Sequence, residues 1–526
     1  MNTLIYKQND ENGITETAQI LKNGGIAAIP TETVYGLAAN ALDPEAVKKI
    51  FAAKGRPQDN PLIVHISEFD EIYPLVKFVP ESAKVLAERF WPGPLTIILP
   101  KSEIIPDAVS AGLDTVAVRM PSHPIANRII KAAGVPLAAP SANSSGLPSP
   151  TRVEHVIDDM MGKIDAIVDG GECDIGVEST VITLAGSVPR LLRPGGVTLE
   201  ELRDVLGEVE VDPAVTDKLK ENAVAASPGM KYKHYAPKAQ VYIVKGTLPS
   251  FRCFTDYEKQ DGDYAVCFDG EEDKIKIPCI SYGKESSAKT QAHRLFAILR
   301  QTDKLGAKRV FVRCPSLKGV GLAVYNRLIR AAAFRVITVP EIWGITGQTG
   351  AGKTSVSQAL AQKGVYVIDC DQTARRITEK GSPVLKTLAD AFGGDILLPN
   401  GELDRKALAK KAFCSEEGEK LLNSITHPAI TRLVRDEIMQ NRDSYSLFAI
   451  DAALLFESEL YDYCTKTIVV TADEKIRLER IMTRDGISEE EAVMRINAQK
   501  SEGYYTGKAD AVIKNNGGEI DLAGIF

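Results

Sequence analysis

Apolar residues in the first part of the chain follow two different periods. Residues 14–24 repeat apolar positions at helical spacing, and the short apolar run at residues 25–30 has the length and composition of a buried strand. The same two patterns recur, with strands predicted at residues 62–66, 95–99, 115–118 and 177–184 and helices at residues 82–90 and 125–133. This alternation predicts an α/β fold, with a mixed-sheet domain over residues 1–211.

The pattern weakens and then resumes in the middle of the chain. Residues 212–239 have no strong period but contain His234-Tyr235-Ala236-Pro237, so we interpret them as an ordered linker. Residues 240–340 predict a small parallel-sheet α/β domain, with strands at residues 241–244, 264–268 and 310–313 and helices at residues 287–302 and 319–333. No catalytic motif lies in this middle domain.

The last part of the chain, residues 341–526, opens with a phosphate-binding sequence. An apolar run at residues 342–345 is followed by Gly-Gln-Thr-Gly-Ala-Gly-Lys-Thr and then by a helical pattern. A loop of this kind cradles phosphates with backbone N–H groups, while its lysine neutralises charge and its threonine hydroxyl can bind Mg²⁺; the alternative is a simple surface turn. The residues predicted to bind ATP are Gly347, Gly350, Ala351, Gly352, Lys353, Thr354 and Ser355, with Thr354 also on the metal.

Two features favour a kinase over a GTPase. The guanine-reading sequence Asn-Lys-x-Asp is absent, and an apolar strand at residues 365–368 ends at Asp369-Cys370-Asp371, which places a carboxylate beside the phosphate loop to act as a base. Arginines further along flank Asp485 and predict a helical lid formed around Arg480, Arg484 and Arg495. The alternative for each arginine is an ordinary surface ion pair with a nearby glutamate.

Composition narrows the class of protein. A chain of 526 residues with 44% hydrophobic content can bury more than one core, and a net charge of −7 gives no general attraction to nucleic acids. Eight cysteines without a Cys-x-x-Cys pair predict reduced thiols instead of a zinc site or disulfides. Because residues 1–13 lack a signal-peptide pattern and no apolar run is long enough to cross a membrane, we expect a cytoplasmic protein that does not contact membranes.

Cations in the first domain are candidates for binding a polyphosphate. Lys54 and Arg56 lie close together, Arg119 follows a predicted strand, and Arg193 is followed by Pro194-Gly195-Gly196. Arginine offers a planar fork and lysine a point charge to phosphate oxygens. Any one of these residues alone would be assigned to a solvated surface.

These residues lie in motifs that resemble those of the YrdC-like threonylcarbamoyl-AMP synthases. The similar sequences are Pro-Thr-Glu-Thr-Val-Tyr-Gly-Leu, Lys-Gly-Arg-Pro, Phe-Trp-Pro-Gly-Pro-Leu-Thr and Ser-Ala-Asn at residues 30–37, 54–57, 90–96 and 141–143. The His-Tyr-Ala-Pro linker and the domain after it, at residues 240–340, resemble the linker and the small Rossmann-like domain of the long form of this family. The resemblance implies condensation of L-threonine, bicarbonate and ATP into L-threonylcarbamoyladenylate and diphosphate, for the N6-threonylcarbamoyladenosine modification of tRNA.

The same resemblance implies roles for individual residues. Lys54 and Arg56 are the catalytic candidates, because cations can offset charge that develops on diphosphate. The residues implied to face ATP are Lys54, Arg56, Asn60, Thr115, Ser141, Asn143, Ser149, Arg193 and Tyr235, and those implied to hold threonine are Thr33, His65, Arg119, the Ala139 backbone and Ser179. His65 could instead be an ordinary strand histidine, and Trp91 is expected in the core.

The last domain resembles dephospho-CoA kinases. The phosphate loop is followed, in family order, by Val-Ile-Asp-x-Asp, Thr-His-Pro, Leu-Leu-Phe-Glu, Arg-Asp-Gly and Ala-Asp-Ala-Val-Ile. The resemblance implies phosphorylation of the ribose 3′-hydroxyl of dephospho-CoA, with Asp371 as base, Lys353 and Mg²⁺ on the phosphates, and His427 near the acceptor. The loop sequence and Ala452-Ala453 depart from the family pattern without removing a phosphate-binding group.

The sequence leaves one other interpretation of the first half open. A concave basic surface could make it a tRNA- or double-stranded-RNA-binding module fused to a small-molecule P-loop kinase. The middle domain could serve as a gate acting through the linker. The expected partners are L-threonine, bicarbonate, ATP and dephospho-CoA, with transient contact to tRNA or to the tRNA-modifying transferase complex.

Overall fold

The computed structural model describes residues 2–7, 9–217 and 235–526. Part of the predicted linker, including His234, lies outside the described residues. The chain divides into two compact units, one formed by Met1–Val244 with Gln260–Ile337 and the other by Lys245–Lys259 with Thr338–Phe526. Across the described ranges, no helix is long and apolar enough to cross a membrane.

An eleven-stranded mixed sheet runs through the first part of the chain, in the order β1-β8-β2-β3-β7-β4-β6-β5-β9-β10-β11. Its strands are β1 Leu4–Lys7, β2 Ala27–Ile29, β3 Gly36–Asn40, β4 Ile63–His65, β5 Leu95–Pro100, β6 Thr115–Arg119, β7 Leu137–Ala138, β8 Ala166–Asp169, β9 Thr180–Thr183, β10 Arg190–Arg193 and β11 Glu210–Val211. The accompanying helices are α1 Glu11–Lys22, α2 Pro44–Lys54, α3 Glu81–Phe90, α4 Asp107–Ser110, α5 Pro124–Ala133, α6 Val153–Met160 and α7 Leu199–Leu206. The predicted mixed-sheet α/β class is confirmed.

The ends of α2 show how local sequence places a candidate residue. Asp43 caps the helix by accepting hydrogen bonds from the backbone N–H groups of Glu45 and Ala46, and Pro44 occupies its first turn. Gly55 ends the helix in the left-handed conformation, with φ of 61°, which glycine adopts at little cost. Lys54 therefore lies in the last helical turn and Arg56 on the loop that follows.

A five-stranded sheet of order β14-β13-β15-β12-β16 follows the linker. Its strands are β12 Gln240–Lys245, β13 Asp263–Cys267, β14 Cys279–Ser281, β15 Arg309–Arg313 and β16 Val336–Thr338, and the helices of this region are α8 Leu248–Glu258, α9 Ala288–Lys304 and α10 Val320–Ala331. Its buried cluster also contains Val34 and Val177, so within the first unit it shares a core with the residues of the mixed-sheet part.

A third sheet, entirely parallel in its described pairings, has the order β18-β19-β17-β20-β21. Its strands are β17 Glu341–Thr346, β18 Tyr366–Asp369, β19 Leu447–Asp451, β20 Lys466–Thr471 and β21 Ala511–Lys514. Its helices are α11 Lys353–Gln362, α12 Cys370–Ile377, α13 Pro383–Phe392, α14 Arg405–Ala412, α15 Glu416–Asn441, α16 Glu474–Asp485, α17 Glu489–Asn497 and α18 Glu502–Thr506. Ser488 and Glu491 form a reciprocal cap at the start of α17.

Helix α8, which the sequence patterns did not reveal, belongs to the second unit although it precedes β13 in the chain. The Arg252 guanidinium lies 3.0 Å from the Asp462 carboxylate, and the Tyr463 hydroxyl donates to Asp256 at 2.7 Å. Phe254 is fully buried and its ring lies under Arg442. A boundary placed at residue 340 therefore leaves out a helix that packs into this unit.

We expect Phe254→Ala to lower the free energy of unfolding of the second unit by about 3–5 kcal/mol, because it empties a fully buried aromatic position. The chain has two tryptophans, Trp91 in the first unit and Trp343 in the second, so fluorescence can follow each unit separately. In a Trp91→Phe background, denaturant unfolding reported by Trp343 should shift to lower concentration.

The exposed Phe413 is the matched control, and Phe413→Ala should move neither transition. When Phe254→Ala is combined with Trp343→Phe, the unfolding transition reported by Trp91 should occur at the same denaturant concentration as in the chain without Phe254→Ala. An unchanged Trp343 transition in Phe254→Ala would show that α8 is dispensable for the second unit.

Candidate active sites

A cavity of about 720 Å³ opens among the loops of the mixed-sheet part. It is lined by residues from well-separated segments, which include strand ends and the loops after α2 and β7. The residues that line it are Thr31, Thr33, Val34, Gly36, Lys54, Arg56, Ile63, His65, Arg119, Ala139, Pro140, Ser141, Asn143, Ser145, Gly146, Glu178, Ser179, Arg193 and Tyr235. Four cations thus surround one cavity.

Two of these cations differ in how they are held. The Lys54 ammonium is buried and donates to the main-chain carbonyls of Ser141 and Asn143, the latter at 2.6 Å. Burial, reinforced by the charge of Arg56, lowers the pKa of Lys54 well below its ordinary value. In Arg56, by contrast, Nε and Nη2 are buried and have no hydrogen-bond partner among the described residues. Lys54 fixes the loop at residues 141–143, whereas Arg56 keeps donors for a ligand.

A buried ion pair occupies another side of the cavity. The Arg119 guanidinium lies 2.7 Å from the Glu32 carboxylate, and both side chains are almost fully buried. Burial alone would raise the pKa of Glu32, but the charge and hydrogen bond of Arg119 outweigh it and hold the pKa below its ordinary value. Glu32 therefore orients Arg119 at the cavity wall.

His65 lies next to this pair. Burial, together with the charge of Arg119, lowers the pKa of His65 to about 3. Its Nδ1 lies 3.2 Å from the carbonyl oxygen of Ile63, and a proton on Nδ1 leaves Nε2 as an acceptor. The cavity thus contains a neutral imidazole that can accept a hydrogen bond.

The fourth cation is fixed by a serine. Arg193 Nε donates to the main-chain carbonyl of Ser179 at 3.0 Å, and Nη2 donates to the Ser179 hydroxyl at 3.1 Å. Tyr235 also lines the cavity; its backbone has a φ of 64° and its ring packs 5.2 Å from that of Phe296. A non-glycine residue in this left-handed conformation is typical of a site that constrains it.

A second cavity, of about 1070 Å³, lies over the phosphate loop that follows β17. Its lining residues are Gln348, Thr349, Gly350, Gly352, Lys353, Thr354, Glu479, Arg480, Thr483 and Arg484. A Cβ atom on Gly347 would lie 2.2 Å from the carbonyl oxygen of Val470, so only glycine fits where the loop leaves the sheet.

Helix α16 is fastened to this loop by two arginines. Arg477 donates to the carbonyl of Thr349 at 3.0 Å, and Arg480 donates to the carbonyls of Gly350 and Ala351, each at 3.2 Å. Arg480 also donates to the carbonyl of Asn515 at 3.0 Å. Both guanidinium groups therefore maintain the shape of the loop.

Carboxylates end the strands next to the loop. Parallel register places Asp451, at the end of β19, beside Ile345 of β17 and beside Asp369 of β18. Burial raises the pKa of Asp451, although nearby Lys353 opposes the shift, and the Ser357 hydroxyl donates to Asp451 at 2.8 Å. A partly buried carboxylate thus ends the strand next to the one that leads into the phosphate loop.

Comparisons with known proteins match the two cavities separately. A family model described as telomere recombination, for Sua5, YciO and YrdC proteins, matches residues 19–195, and one described as threonylcarbamoyl-AMP synthase, C-terminal domain, matches residues 197–333. A third, described as dephospho-CoA kinase, matches residues 341–521.

Individual relatives agree with these matches. A threonylcarbamoyl-AMP synthase of Pyrococcus abyssi is 48% identical over 340 residues, which cover 64% of this chain and 98% of that protein. A dephospho-CoA kinase of Corynebacterium glutamicum is 41% identical over 180 residues, which cover 34% of this chain and 90% of that protein. The chain belongs to both families. It joins a synthase part to a kinase part.

A solved structure extends the comparison to the fold of the synthase part. The crystal structure of Pyrococcus abyssi Sua5 complexed with L-threonine matches with a TM-score of 0.60 and 45% identity, covering 64% of this chain and all of that one. The interpretation of the first half as an RNA-binding module is not favoured, because its relatives are named as synthases.

In the synthase part, the structure brings together most of the candidate residues. All five candidates for threonine and six of those for ATP line the cavity, namely Thr33, His65, Arg119, Ala139 and Ser179, and Lys54, Arg56, Ser141, Asn143, Arg193 and Tyr235. Three ATP candidates do not line it. Thr115 begins β6 while Arg119 ends it, the Asn60 side chain is buried without a hydrogen-bond partner, and the buried Ser149 hydroxyl donates to Glu178.

In the kinase part, the candidates separate. Lys353, Thr354, Arg480 and Arg484 line the cavity, whereas Asp371, His427 and Arg495 do not. Asp371 is exposed on the first turn of α12. His427 is half-buried in α15, and burial lowers its pKa, opposed by the charge of Glu457.

Two of the lid arginines form ion pairs, which was the alternative considered for them. Arg484 and Arg495 both contact the Asp485 carboxylate, at 2.8 Å and 2.5 Å. No sequence motif assigned a role to Asp451, Glu32 or Glu178. Asp451 could have been found, because it ends an apolar run that is parallel to the phosphate-loop strand.

We expect titration of His65 to have no effect on threonine use between about pH 5.5 and 8, because its pKa of about 3 lies far below the ordinary value near 6.5. His65→Gln places a neutral amide there. The ratio of the threonine KM values of the two proteins should therefore be constant over this range, measured by diphosphate release. A ratio that changes through pH 6.5 would mean that His65 titrates in the working enzyme.

Proposed function

We propose that the synthase site condenses L-threonine, bicarbonate and ATP into L-threonylcarbamoyladenylate and diphosphate. The observation that carries this assignment is one cavity lined by four cations and a neutral imidazole. The threonine amine and bicarbonate form a carbamate with loss of water, a carbamate oxygen then attacks the α-phosphorus, and diphosphate leaves. Such a reaction depends on positioning and on cations that offset charge on the departing diphosphate.

The two sides of the cavity suggest how the substrates divide it. Arg56 and Arg193 would hold the polyphosphate, since Arg56 keeps two buried donors unused and Arg193 is held rigidly by Ser179. Arg119 would bind the threonine carboxylate, and Nε2 of His65 would accept a hydrogen bond from threonine. Lys54 would act by holding the loop that carries Ser141 and Asn143. Asn60, Thr115 and Ser149 are proposed to contact ATP only after the loops have adjusted to it.

For the kinase site we propose transfer of the ATP γ-phosphoryl group to the ribose 3′-hydroxyl of dephospho-CoA. The phosphate loop above β17, with Lys353 in the cavity wall, supports this assignment. Residues Gly347, Gly350, Ala351, Gly352, Thr354 and Ser355 would surround the phosphates. Arg484 would move from Asp485 to the transferred phosphoryl group, while Arg480 keeps the loop in shape.

Three further residues are proposed to serve the acceptor side. Asp371 would accept the proton of the attacking 3′-hydroxyl, His427 would lie near the acceptor, and Arg495 would hold the lid through Asp485. Because Asp371 does not line the cavity, we place its contact with the acceptor in the substrate-bound enzyme.

The residues around the phosphate loop fit Mg²⁺. This ion favours oxygen ligands from one or two carboxylates together with substrate phosphates. The Thr354 hydroxyl in the loop and the Asp451 carboxylate beside it, which Ser357 orients, are such donors. Bound Mg²⁺ would neutralise charge on the phosphates, and these two residues would hold it.

The thiols and the two proposed reactions indicate a compartment, partners and a division of the chain between the two enzymes. Eight free thiols fit a reducing compartment, and we propose the cytoplasm. The adenylate is proposed to serve tRNA modification, through transient contact with tRNA or with the tRNA-modifying transferase complex. We assign residues 1–211, the linker 212–239 and the domain 240–340 to the synthase, and residues 341–526 together with α8 to the kinase.

Product identification tests both reactions. Purified protein is incubated with ATP, L-threonine and ¹³C-bicarbonate, and separately with ATP and dephospho-CoA. Mass spectrometry should detect a threonylcarbamoyl-adenylate that carries one ¹³C, and coenzyme A together with ADP. An adenylate without the label, or phosphorylation at another position of dephospho-CoA, would refute the corresponding assignment.

A further inference from the structure

The largest fully buried side chain described in the protein is a charged one, Arg327 of α10 in the middle domain. Its Nε donates to the Glu178 carboxylate at 2.9 Å, Nη2 donates to the Glu178 main-chain carbonyl at 3.1 Å, and Nη1 donates to the carbonyl of Pro194. One guanidinium thus joins two segments that lie more than a hundred residues earlier in the chain.

Those two segments carry residues of the synthase cavity. Glu178 precedes Ser179, and Pro194 follows Arg193, which itself bonds to Ser179. The fork of Arg327 therefore holds the neighbours of both residues. A planar guanidinium with several fixed donors is suited to this task, whereas a lysine ammonium would not reproduce its geometry.

Glu178 itself lines the cavity and is only 6% exposed. Its other oxygen accepts a hydrogen bond from the Ser149 hydroxyl. Burial raises the pKa of Glu178, but the charges of Arg327 and Arg193 outweigh this and lower it, so the carboxylate stays ionised. An unpaired anion at this position would repel a polyphosphate and draw Arg193 towards itself.

We propose that Arg327 is a positioning residue of the synthase site, supplied by the middle domain, which neutralises Glu178 and holds the segments that carry Ser179 and Arg193, so that the ATP polyphosphate meets no unpaired anion in the cavity wall. This inference rests on the proposed ATP-dependent reaction. It gives the middle domain a direct part in the synthase site, beyond that of a gate or an appended module.

A second buried arginine of the middle domain also bonds to a carboxylate and to a main-chain carbonyl of the mixed-sheet part. Arg300 of α9 donates to both Asp159 oxygens, at 3.2 Å and 2.8 Å, and to the carbonyl of Pro148. Asp159 in turn accepts from the backbone N–H of Ser144, in the loop that carries Ser141 and Asn143. The middle domain thus fixes two loops of the cavity, and Arg327 is the one whose partner faces the ligand.

The test is the steady-state kinetics of diphosphate release by Arg327→Met, Arg327→Lys and the double variant Glu178→Gln/Arg327→Met. Arg327→Met should raise the KM for ATP by about tenfold or more and leave the KM for threonine within about twofold, because the unpaired Glu178 carboxylate repels the polyphosphate, whereas threonine carries no net charge. Arg327→Lys should fall between this variant and the unsubstituted chain. The double variant should recover part of the loss, because it removes the unpaired carboxylate.

The control is Arg294→Met, since Arg294 is a surface arginine of α9 that pairs with Asp269, and it should leave both KM values unchanged. The unfolding transition reported by Trp91 shows in each sample whether the first unit is folded. If Arg327→Met does not fold, Arg327→Lys and the double variant decide the question.

Equal changes in both KM values, or a loss of kcat alone with a lower melting temperature, would overturn the inference and reduce Arg327 to a packing role. The absence of diphosphate release in the unsubstituted chain would instead refute the proposed reaction itself, and the inference with it.

Discussion

Arg56→Ala should lower threonine-dependent diphosphate release by about 10²- to 10³-fold and leave phosphorylation of dephospho-CoA unchanged. Arg56 is the cation of the synthase cavity whose Nε and Nη2 are buried without a hydrogen-bond partner, so its donors are available to a substrate. Removal of one pre-positioned donor from a site of this kind typically costs a factor of that size. Initial rates of diphosphate release at saturating threonine and bicarbonate measure the effect.

Arg190→Ala is the matched control, because Arg190 lies in the same sheet but forms an exposed pair with Glu210. We expect it to change the rate by less than about twofold, as exposed ion pairs contribute little. A rate in Arg56→Ala equal to that in Arg190→Ala would remove Arg56 from the reaction and leave Lys54 and Arg193 to hold the polyphosphate.

Lys353→Ala should lower the dephospho-CoA-dependent formation of ADP by about 10²- to 10³-fold. The lysine lies in the wall of the second cavity, where the phosphate loop leads into α11, and we propose that it supplies the charge that offsets the β- and γ-phosphates. Diphosphate release by the synthase should not change. Coupled measurement of ADP over a range of ATP concentrations gives kcat and KM separately.

Lys363→Ala controls for loss of a positive charge near α11, since Lys363 is exposed at the end of that helix. It should leave the kinase rate unchanged. Retention of more than about a tenth of the rate in Lys353→Ala would show that the loop does not hold the transferred phosphates through this lysine.

Much of the fold follows from local sequence patterns. The order strand, glycine loop and helix around residues 347–354 is found as β17, loop and α11. The predicted core position of Trp91 is confirmed, because it is 8% exposed and its indole N–H donates to the carbonyl of Leu95 at 2.7 Å. In these places the hydrophobic period and short-range hydrogen bonds decide the structure, and both can be read from neighbouring residues.

Helix α8 shows where such reading fails. Its residues pack through Arg252, Phe254 and Asp256 onto partners about two hundred positions later in the chain, and no local pattern encodes that packing. Thr247 as the cap and Pro249 in the first turn are local signals for the start of this helix, but they do not show which unit it packs into.

The candidate sites show the same division. Lys54, Arg56 and Arg119 could be proposed from the sequence because they lie in recognisable motifs. Their ion-pair partners could not be proposed in this way. Glu32 pairs with Arg119 and Glu178 pairs with Arg327, and only the folded chain brings these residues together. Charge pairing across a cavity depends on tertiary structure, whereas a phosphate loop is local.

We propose that one chain contains two active sites that work independently. The most direct test measures both reactions on the same purified samples of the unsubstituted protein, Arg56→Ala and Lys353→Ala. We predict that Arg56→Ala loses only threonine-dependent diphosphate release and that Lys353→Ala loses only dephospho-CoA-dependent ADP formation. Loss of both reactions in either variant, in protein that still unfolds cooperatively, would contradict two separate sites.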